Sequence, residues 1–434
     1  MVSAGESMSE RQESSPSVSA PSERSRAVLI EPDVDFIRIL SKESSNTFKL
    51  CMQCGTCSVT CGVSPDRAPF PRKEMAWATW GLKDRLIGDP DVWFCHQCND
   101  CSTRCPRGAR PGDVLASIRQ VIIEHFSFPR FLGRWVRKPQ FLPLLLAIPA
   151  LLLGLALLAK GPIEEARGLS TISADRVVFS YSSFFPHWLL NSFFLFFGAL
   201  ALLAAVVGVM RFWRVLKKSG AEQGFVPSGK GIGASFWAAL KKIVTHENFT
   251  SCTMDSSRLV PHFCVFFGFA ALLMVTFWVI TNSLNPLIQG AFVYPFGFWN
   301  PLKLLANIGG LAVLVGCGLM IFDRLYGENA SSSTYSDWAF LWLIVLVVAT
   351  GFATELLHYA RLEPHRHVIY FVHLVFAFSL IVYLPYSKFA HMIYRTVALT
   401  FVEYTNRSEA KPAGTPEGLR NDKESDPEAA KSIA

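Results

Sequence analysis

Apolar and polar positions are segregated into blocks along this 434-residue chain. Residues 1–27 are rich in Ser, Glu and Pro and offer little to bury, which predicts a disordered segment. Residues 28–130 mix short apolar runs with charge, the pattern of a compact soluble domain, densest from Glu31 to Phe128. Six long apolar stretches follow within residues 138–400, at 141–159, 186–210, 259–282, 302–322, 338–358 and 368–392. Each is near the roughly 20 residues that a 30 Å hydrocarbon core requires, although Pro143 and Pro149 interrupt the first. Residues 401–434 return to a polar tail. The pattern predicts an all-α protein in which a helical head is fused to a six-helix bundle in the lipid bilayer.

Charge orients the bundle. Arg130, Arg134, Arg137 and Lys138 precede the first stretch, and Arg211, Arg214, Lys217, Lys218, Lys241 and Lys242 fill the connection between the second and third. The connection from Ser283 to Pro301 has no Lys or Arg. The excess of Lys and Arg on cytoplasmic loops then predicts a multi-pass protein of the cytoplasmic membrane, with head, central connection and both termini inside. Within that connection, Phe236, Leu240, Ile243 and Val244 recur at helical spacing over Ser235–Phe249. This segment reads either as a helix lying on the membrane surface or as a plain amphipathic connector. A net charge of +7 beside a hydrophobic fraction of 51% does not indicate nucleic acid, because the basic residues flank apolar runs instead of forming one face.

Of eleven cysteines, eight lie between Cys51 and Cys105. Cys51, Cys54, Cys57 and Cys61 have the spacing C-x-x-C-x-x-C-x-x-x-C, which Cys95, Cys98, Cys101 and Cys105 repeat before Pro106. Three closely spaced thiolates can hold three irons of a cubane while the fourth reaches the neighbouring cluster. Cys51, Cys54, Cys57 and Cys105 are therefore assigned to one [4Fe-4S] cluster, and Cys95, Cys98, Cys101 and Cys61 to a second. Zinc sites use pairs of C-x-x-C units with no need for a third step. Disulfides are disfavoured in a reducing cytoplasm, the compartment expected where no secretory signal is legible. Gly62 follows the first motif where bacterial ferredoxins have Pro. Between the motifs, Met75, Trp77 and Trp80 predict a helix over the clusters, with its aromatics in the core.

Ionisable residues in spanning helices are functional candidates. His373 and His391 are eighteen residues apart in the last apolar stretch. On one straight helix that is five turns and a rise of roughly 27 Å, placing both on one face at opposite depths. Two stacked haems b fit that geometry, with His262 level with His391 and His187 level with His373 as second axial ligands. Bis-histidine ligation leaves no open position for oxygen chemistry and suits electron transfer. His358 rivals His187, and an interfacial anchor beside Trp188 is the plain alternative for His187. Glu355 and His358, one turn apart, are a candidate quinone and proton site, with a purely structural pairing of Glu355 as the alternative. His365 and His367 are expected in a solvated outer loop, and His96, His125 and His246 carry no expectation.

These residues resemble known families over most of the chain. Residues 31–125 resemble the small iron–sulfur subunit of heterodisulfide reductases. Tyr370 to His373 through Leu384 to His391 resemble the final helix of the cytochrome b subunit of respiratory nitrate reductases, where two histidines at this spacing ligate haems. Pro261-His262-Phe263-Cys264 is similar to that family's earlier ligand helix, with Leu272 in place of its second histidine. Fusion of the two modules resembles the membrane subunit of the quinone-interacting membrane-bound oxidoreductase (Qmo) complexes. The resemblance implies electron flow between menaquinone and flavin- and cluster-bearing cytoplasmic partner subunits, with adenylylsulfate reductase beyond them in dissimilatory sulfur metabolism. No glycine-rich nucleotide fingerprint points to a flavin site in this chain. Alternatives are a heterodisulfide or sulfite-reduction partner, and a membrane anchor or redox sensor.

Overall fold

The computed structural model describes residues 31–65, 68–166, 181–245, 259–285, 297–327 and 333–405. The N-terminal segment 1–27, the tail beyond 405, the middle of the connection expected outside and His246–Phe249 lie outside the described residues. The described residues form helices and turns without strands.

The head is built on three helices. Helix α1 (Val34–Glu43) begins where Asp33 Oδ1 accepts from the Phe36 N–H at 2.8 Å, and it buries Phe36 and Leu40. Capping by an aspartate satisfies an amide that the first turn leaves over. Helix α2 (Arg72–Thr79) buries Met75 and Ala78. Helix α3 (Pro111–Phe126) starts on a proline and runs through the centre, burying Val114, Leu115, Ile118 and Ile122. Trp77 packs at the edge of this core, whereas Trp80 is 60% exposed, so the expected packing of both tryptophans holds only for the first. Helix α4 (Arg130–Arg137) is held to the head by Arg137, which pairs with Glu124 at 2.7 Å and Glu43 at 3.1 Å.

Among the described residues, six helical segments are long and apolar enough to cross a membrane. They are α5 (Leu142–Leu158), α6 (His187–Glu222), α8 (Leu259–Leu284), α9 (Pro301–Tyr326), α10 (Tyr335–Tyr359) and α11 (His365–Val382), with α7 (Ile232–Val244) between the second and third. Helices α8 and α9 meet at glycines: a Cβ on Gly268 would stand 2.6 Å from the Gly309 carbonyl oxygen. Such close backbone approach replaces the hydrophobic drive that is absent between helices in lipid.

Two features depart from the sequence expectation. The last apolar stretch is not one helix. It ends at Val382, makes a 3-10 turn at Leu384–Tyr386, and restarts as α12 (Ala390–Thr405). Pro385 explains the break, since it has no N–H to give and its ring collides with the carbonyl four residues back. Tyr383 and Tyr386 pin the turn by donating to the carbonyls of Leu145 at 2.9 Å and Phe128 at 2.6 Å. His373 and His391 therefore stand on different helices, and the straight five-turn separation does not apply.

The second departure is α6, whose 36 residues span about 54 Å at 1.5 Å per residue, well beyond a bilayer core. Its extension carries Phe212 and Leu216 into the core of the head, where Ala390, Tyr394, Ala398 and Phe401 of α12 join them. Helix α7 packs on α12, with Lys242 paired to Glu403 at 2.6 Å. Head and bundle thus share one hydrophobic core.

Candidate metal centre

Both cysteine motifs use the same backbone device. Gln53 and Gly55 have φ of 60° and 84°, and the equivalent Gln97 and Asn99 have 58° and 70°. Left-handed residues on either side of the second cysteine curl each loop back on itself, a conformation that Gly and Asn adopt at least cost. A short helix follows each curl, Thr56–Thr60 and Asp100–Thr103, and leads to the fourth cysteine. Donors point at sulfur in both loops: Gln53 Nε2 to Cys51 Sγ at 3.3 Å and the Gln97 N–H to Cys95 Sγ at 3.2 Å.

Electrostatics sort the sulfurs into two groups. Burial pushes the Cys61 thiol up to about 12, and the sulfurs of Cys95 and Cys98 add to the shift. Cys101 is pushed up by burial and then by Cys95, Cys98 and Cys61. In the other group burial raises Cys57 to about 11, with Cys51 and Cys54 contributing. Exposed Cys54 is lowered by its hydrogen bond with the Thr56 hydroxyl. The fourth cysteine of the first motif therefore lies in the field of the second motif. None of the eight is joined to another cysteine. Thiols crowded in this way resist ionising separately, and a cationic iron–sulfur core would take the place of their protons.

Between the motifs lies a buried charge cluster that the sequence did not announce. Lys73 Nζ pairs with Asp91 at 2.7 Å, Asp89 at 2.8 Å and Glu74 at 3.3 Å. Burial raises Glu74 well above the usual carboxylate range, and the two aspartates add to the effect despite Lys73.

His391 lies on α12, whose Ala390 and Tyr394 belong to the core of the head. Its ring lies 5.5 Å from that of Trp93, two residues before Cys95, and Trp93 stacks on Tyr394 at 5.6 Å. Burial, Arg119, Arg395 and Lys388 push His391 well below the usual histidine range, so it is held neutral, the form that binds metals. The indole Nε1 of Trp93 is a buried donor with no hydrogen-bond partner. Arg395 contacts His96, inside the second motif, at 2.8 Å. Trp93 was legible only as an aromatic beside the motif; its contact with α12 depends on the break at Pro385.

His373, on α11, is turned toward α10. Its Nδ1 donates to the Val347 carbonyl at 3.1 Å and lies 3.2 Å from the Thr350 hydroxyl. A Cβ on Gly351 would stand 3.3 Å from its Cε1. His262 is two turns before Phe269, whose ring meets that of Phe389 at a tilt, 4.9 Å between centroids, so His262 and His391 both lie on the head side of that contact. His187, at the first position of α6, is exposed. His358 packs against Tyr181 at 5.4 Å. Glu355 pairs with Lys303 at 2.8 Å and accepts from Asn307 at 3.2 Å, which is the structural alternative for that residue. His365 is exposed as expected, but His367 is not in a solvated loop: it belongs to α11 and stacks on Phe184 at 5.0 Å.

Comparison with known proteins divides the chain at the same boundary. A profile described as 4Fe-4S dicluster domain matches residues 47–109. The head is similar to the C subunit of the H(2):CoB-CoM heterodisulfide,ferredoxin reductase of Methanothermobacter marburgensis, with 36% identity over 88 residues, 20% of this chain and 47% of that protein. It is similar to a heterodisulfide reductase C-like protein of Archaeoglobus profundus, with 31% identity over 90 residues, 20% of this chain and 48% of that protein. The chain thus spans about half the length of these relatives. Citrate utilization protein B of Escherichia coli is 26% identical over 393 residues, 86% of this chain and 92% of that protein. No solved structure matches. The head is accordingly a heterodisulfide reductase C-like iron–sulfur domain, and the profile described as Citrate utilization protein B matches residues 141–413. That match covers more than half of the 434 residues, and the chain belongs to the citrate utilization protein B family.

Proposed function

We propose that this chain is a membrane electron-transfer subunit that passes electrons between the menaquinone pool and cytoplasmic flavin- and iron–sulfur-bearing partner subunits, as part of a quinone-linked oxidoreductase. The observation that carries this reading is the shared core of head and bundle, in which Trp93, two residues before Cys95, packs beside the ring of His391. When bound, two [4Fe-4S] clusters and haem b supply one-electron transfer.

The residues present suit these groups. The two sulfur groups, with Cys105 completing the set of Cys51, Cys54 and Cys57, suit two cubanes. His373 is held by Nδ1–H donation to a backbone carbonyl, which fixes the tautomer and leaves the Nε2 lone pair for iron. His391 is neutral, and the orphaned indole N–H of Trp93 beside it would donate to an acceptor at a cofactor's edge. His262 is the partner assigned to His391, and His187 or His358 the partner assigned to His373. Apolar packing around Trp93, Phe212 and Tyr394 keeps water from the boundary. On this reading the head faces the cytoplasm, where the basic segments flank the bundle.

The partner on which we settle is the flavin and cluster assembly of a Qmo-type complex leading to adenylylsulfate reductase, supported by the fusion of both modules in one chain. A second partner assignment has its own support: the near full-length similarity to citrate utilization protein B favours the same conduit serving a different cytoplasmic oxidoreductase. Spectroscopy of the purified chain should show b-type haem bands with signals of two [4Fe-4S] clusters, and haem-free protein would contradict the reading. Co-purification from native membranes separates the partners, because adenylylsulfate reductase and flavin subunits are expected only in the first case.

A further inference from the structure

A cavity of about 540 Å³ lies between the second half of α5 and the first turns of α11. Leu151, Gly154 and Leu158 line it from one side, and Phe371 and Phe184 from the other. Its polar feature is His367; Nε2 has no hydrogen-bond partner and almost no accessible surface, so a ligand in the cavity meets that nitrogen once the imidazole turns over about its Cβ–Cγ bond, which keeps the ring in its plane. Stacking on Phe184 at 5.0 Å fixes the plane of that ring. An unsatisfied ring nitrogen in apolar surroundings is costly, and a ligand oxygen that meets it removes the cost.

The size falls in the range of about 300–1,000 Å³ typical of small-molecule sites, which combine apolar walls with few polar groups. Gly154 adds to the room, since nothing lies within 4 Å of where its Cβ would be. Leu151, Leu155 and Leu158 are 64%, 53% and 77% exposed on a helix apolar enough to cross a membrane. The cavity therefore opens where acyl chains would lie, a route for an isoprenoid tail. The site is at the end of the bundle away from the head. His373 follows six residues later on α11, a rise of about 9 Å.

We propose that this cavity binds the ring of a lipid-soluble quinone, with His367 Nε2 hydrogen-bonded to one ring oxygen. This site deepens the quinone-linked function above, on which it rests. It takes the place of Glu355, whose carboxylate is engaged by Lys303 and Asn307. A neutral imidazole suits both forms of the ligand, donating to a quinone carbonyl or accepting from a quinol hydroxyl. A plain acyl chain would leave Nε2 unsatisfied, and a polar metabolite would find no other partner along these walls.

The test uses the full chain in lipid nanodiscs, an azido-naphthoquinone photoprobe with peptide mapping, and menadiol as reductant. Cluster content of each variant reports folding. Labelling is expected on residues 150–158 or 367–371, with competition by menadione. The cavity-filling substitution Gly154→Leu should reduce labelling at least tenfold, and His367→Gln should raise the menadiol concentration for half-maximal haem reduction about fivefold. Labelling elsewhere, or both folded variants behaving as wild type, would overturn the site while menadiol-dependent reduction upholds the wider function. Displacement of the probe by phospholipid but not by menadione would make the cavity an acyl-chain site and overturn the proposal. Absence of both labelling and menadiol reduction in cluster-loaded wild type would overturn the wider function and the site with it.

Discussion

The ring of His391, on α12, lies 5.5 Å from that of Trp93, which precedes the second cysteine motif in the head. Trp93 is completely buried and also meets Phe212 of α6 at 5.9 Å. One indole thus joins three elements that are far apart in sequence. Replacing such a residue by alanine costs about 3–5 kcal/mol through lost burial and the cavity left behind. Trp93→Ala should lower the melting temperature and expose the connection after α3 to protease, while Trp93→Phe should do less. Unchanged melting and digestion of Trp93→Ala would show that the head is held by other contacts.

The proposed crossed ligation predicts a selective outcome for Cys61→Ser. Cys61 lies in the field of Cys95, Cys98 and Cys101 although it closes the first motif. Electron paramagnetic resonance should show loss or alteration of the cluster held by the second motif, with the other retained. Selective loss of the cluster held by Cys51, Cys54 and Cys57 would refute the crossed assignment.

Close packing of α6 on α12 should show in a double-mutant cycle. A Cβ on Gly208 would stand 2.6 Å from the Tyr394 hydroxyl oxygen and 3.3 Å from the Phe126 carbonyl oxygen. Overpacking of this kind costs about 1–3 kcal/mol, so Gly208→Ala should destabilise the protein. Removing the hydroxyl with Tyr394→Phe should recover part of that loss, which thermal unfolding of the four proteins would measure. Strict additivity would mean that the two residues do not meet.

Glu74 gives stability a particular pH dependence. Its folded-state affinity for a proton is raised by burial, so its contribution is full below the unfolded value of about 4.3 and is lost as pH rises through the raised folded value. Glu74→Gln has no proton to lose there. Its melting temperature relative to wild type should therefore increase from pH 5 to pH 8 in thermal scans. A constant difference across that interval would place Glu74 outside this linkage.

The parts of this molecule governed by local pattern were legible. Six apolar runs became six helices, and the repeated cysteine spacing became two repeated loops with matching left-handed residues at Gln53 and Gln97. The misread parts depend on tertiary structure. Hydropathy runs on through Pro385, so the last stretch looked continuous until the turn pinned by Tyr383 and Tyr386 divided it. Histidines near a predicted loop looked solvated, but α11 begins at His365 and carries His367 against Phe184. Nothing in the period of α6 shows that its end leaves the bundle to complete the core of the head, because an apolar face reads the same against lipid, helix or soluble domain.

The central claim is that quinol electrons reach the cysteine-bound centres within this one chain by way of the His391 boundary. The direct measurement is freeze-quench electron paramagnetic resonance of the isolated full chain mixed with menadiol, comparing wild type with His391→Ala of equal cluster content. Reduced-cluster signals should develop in wild type and fail to develop in the variant. Equal cluster reduction in both proteins, or none in cluster-loaded wild type, would contradict the account.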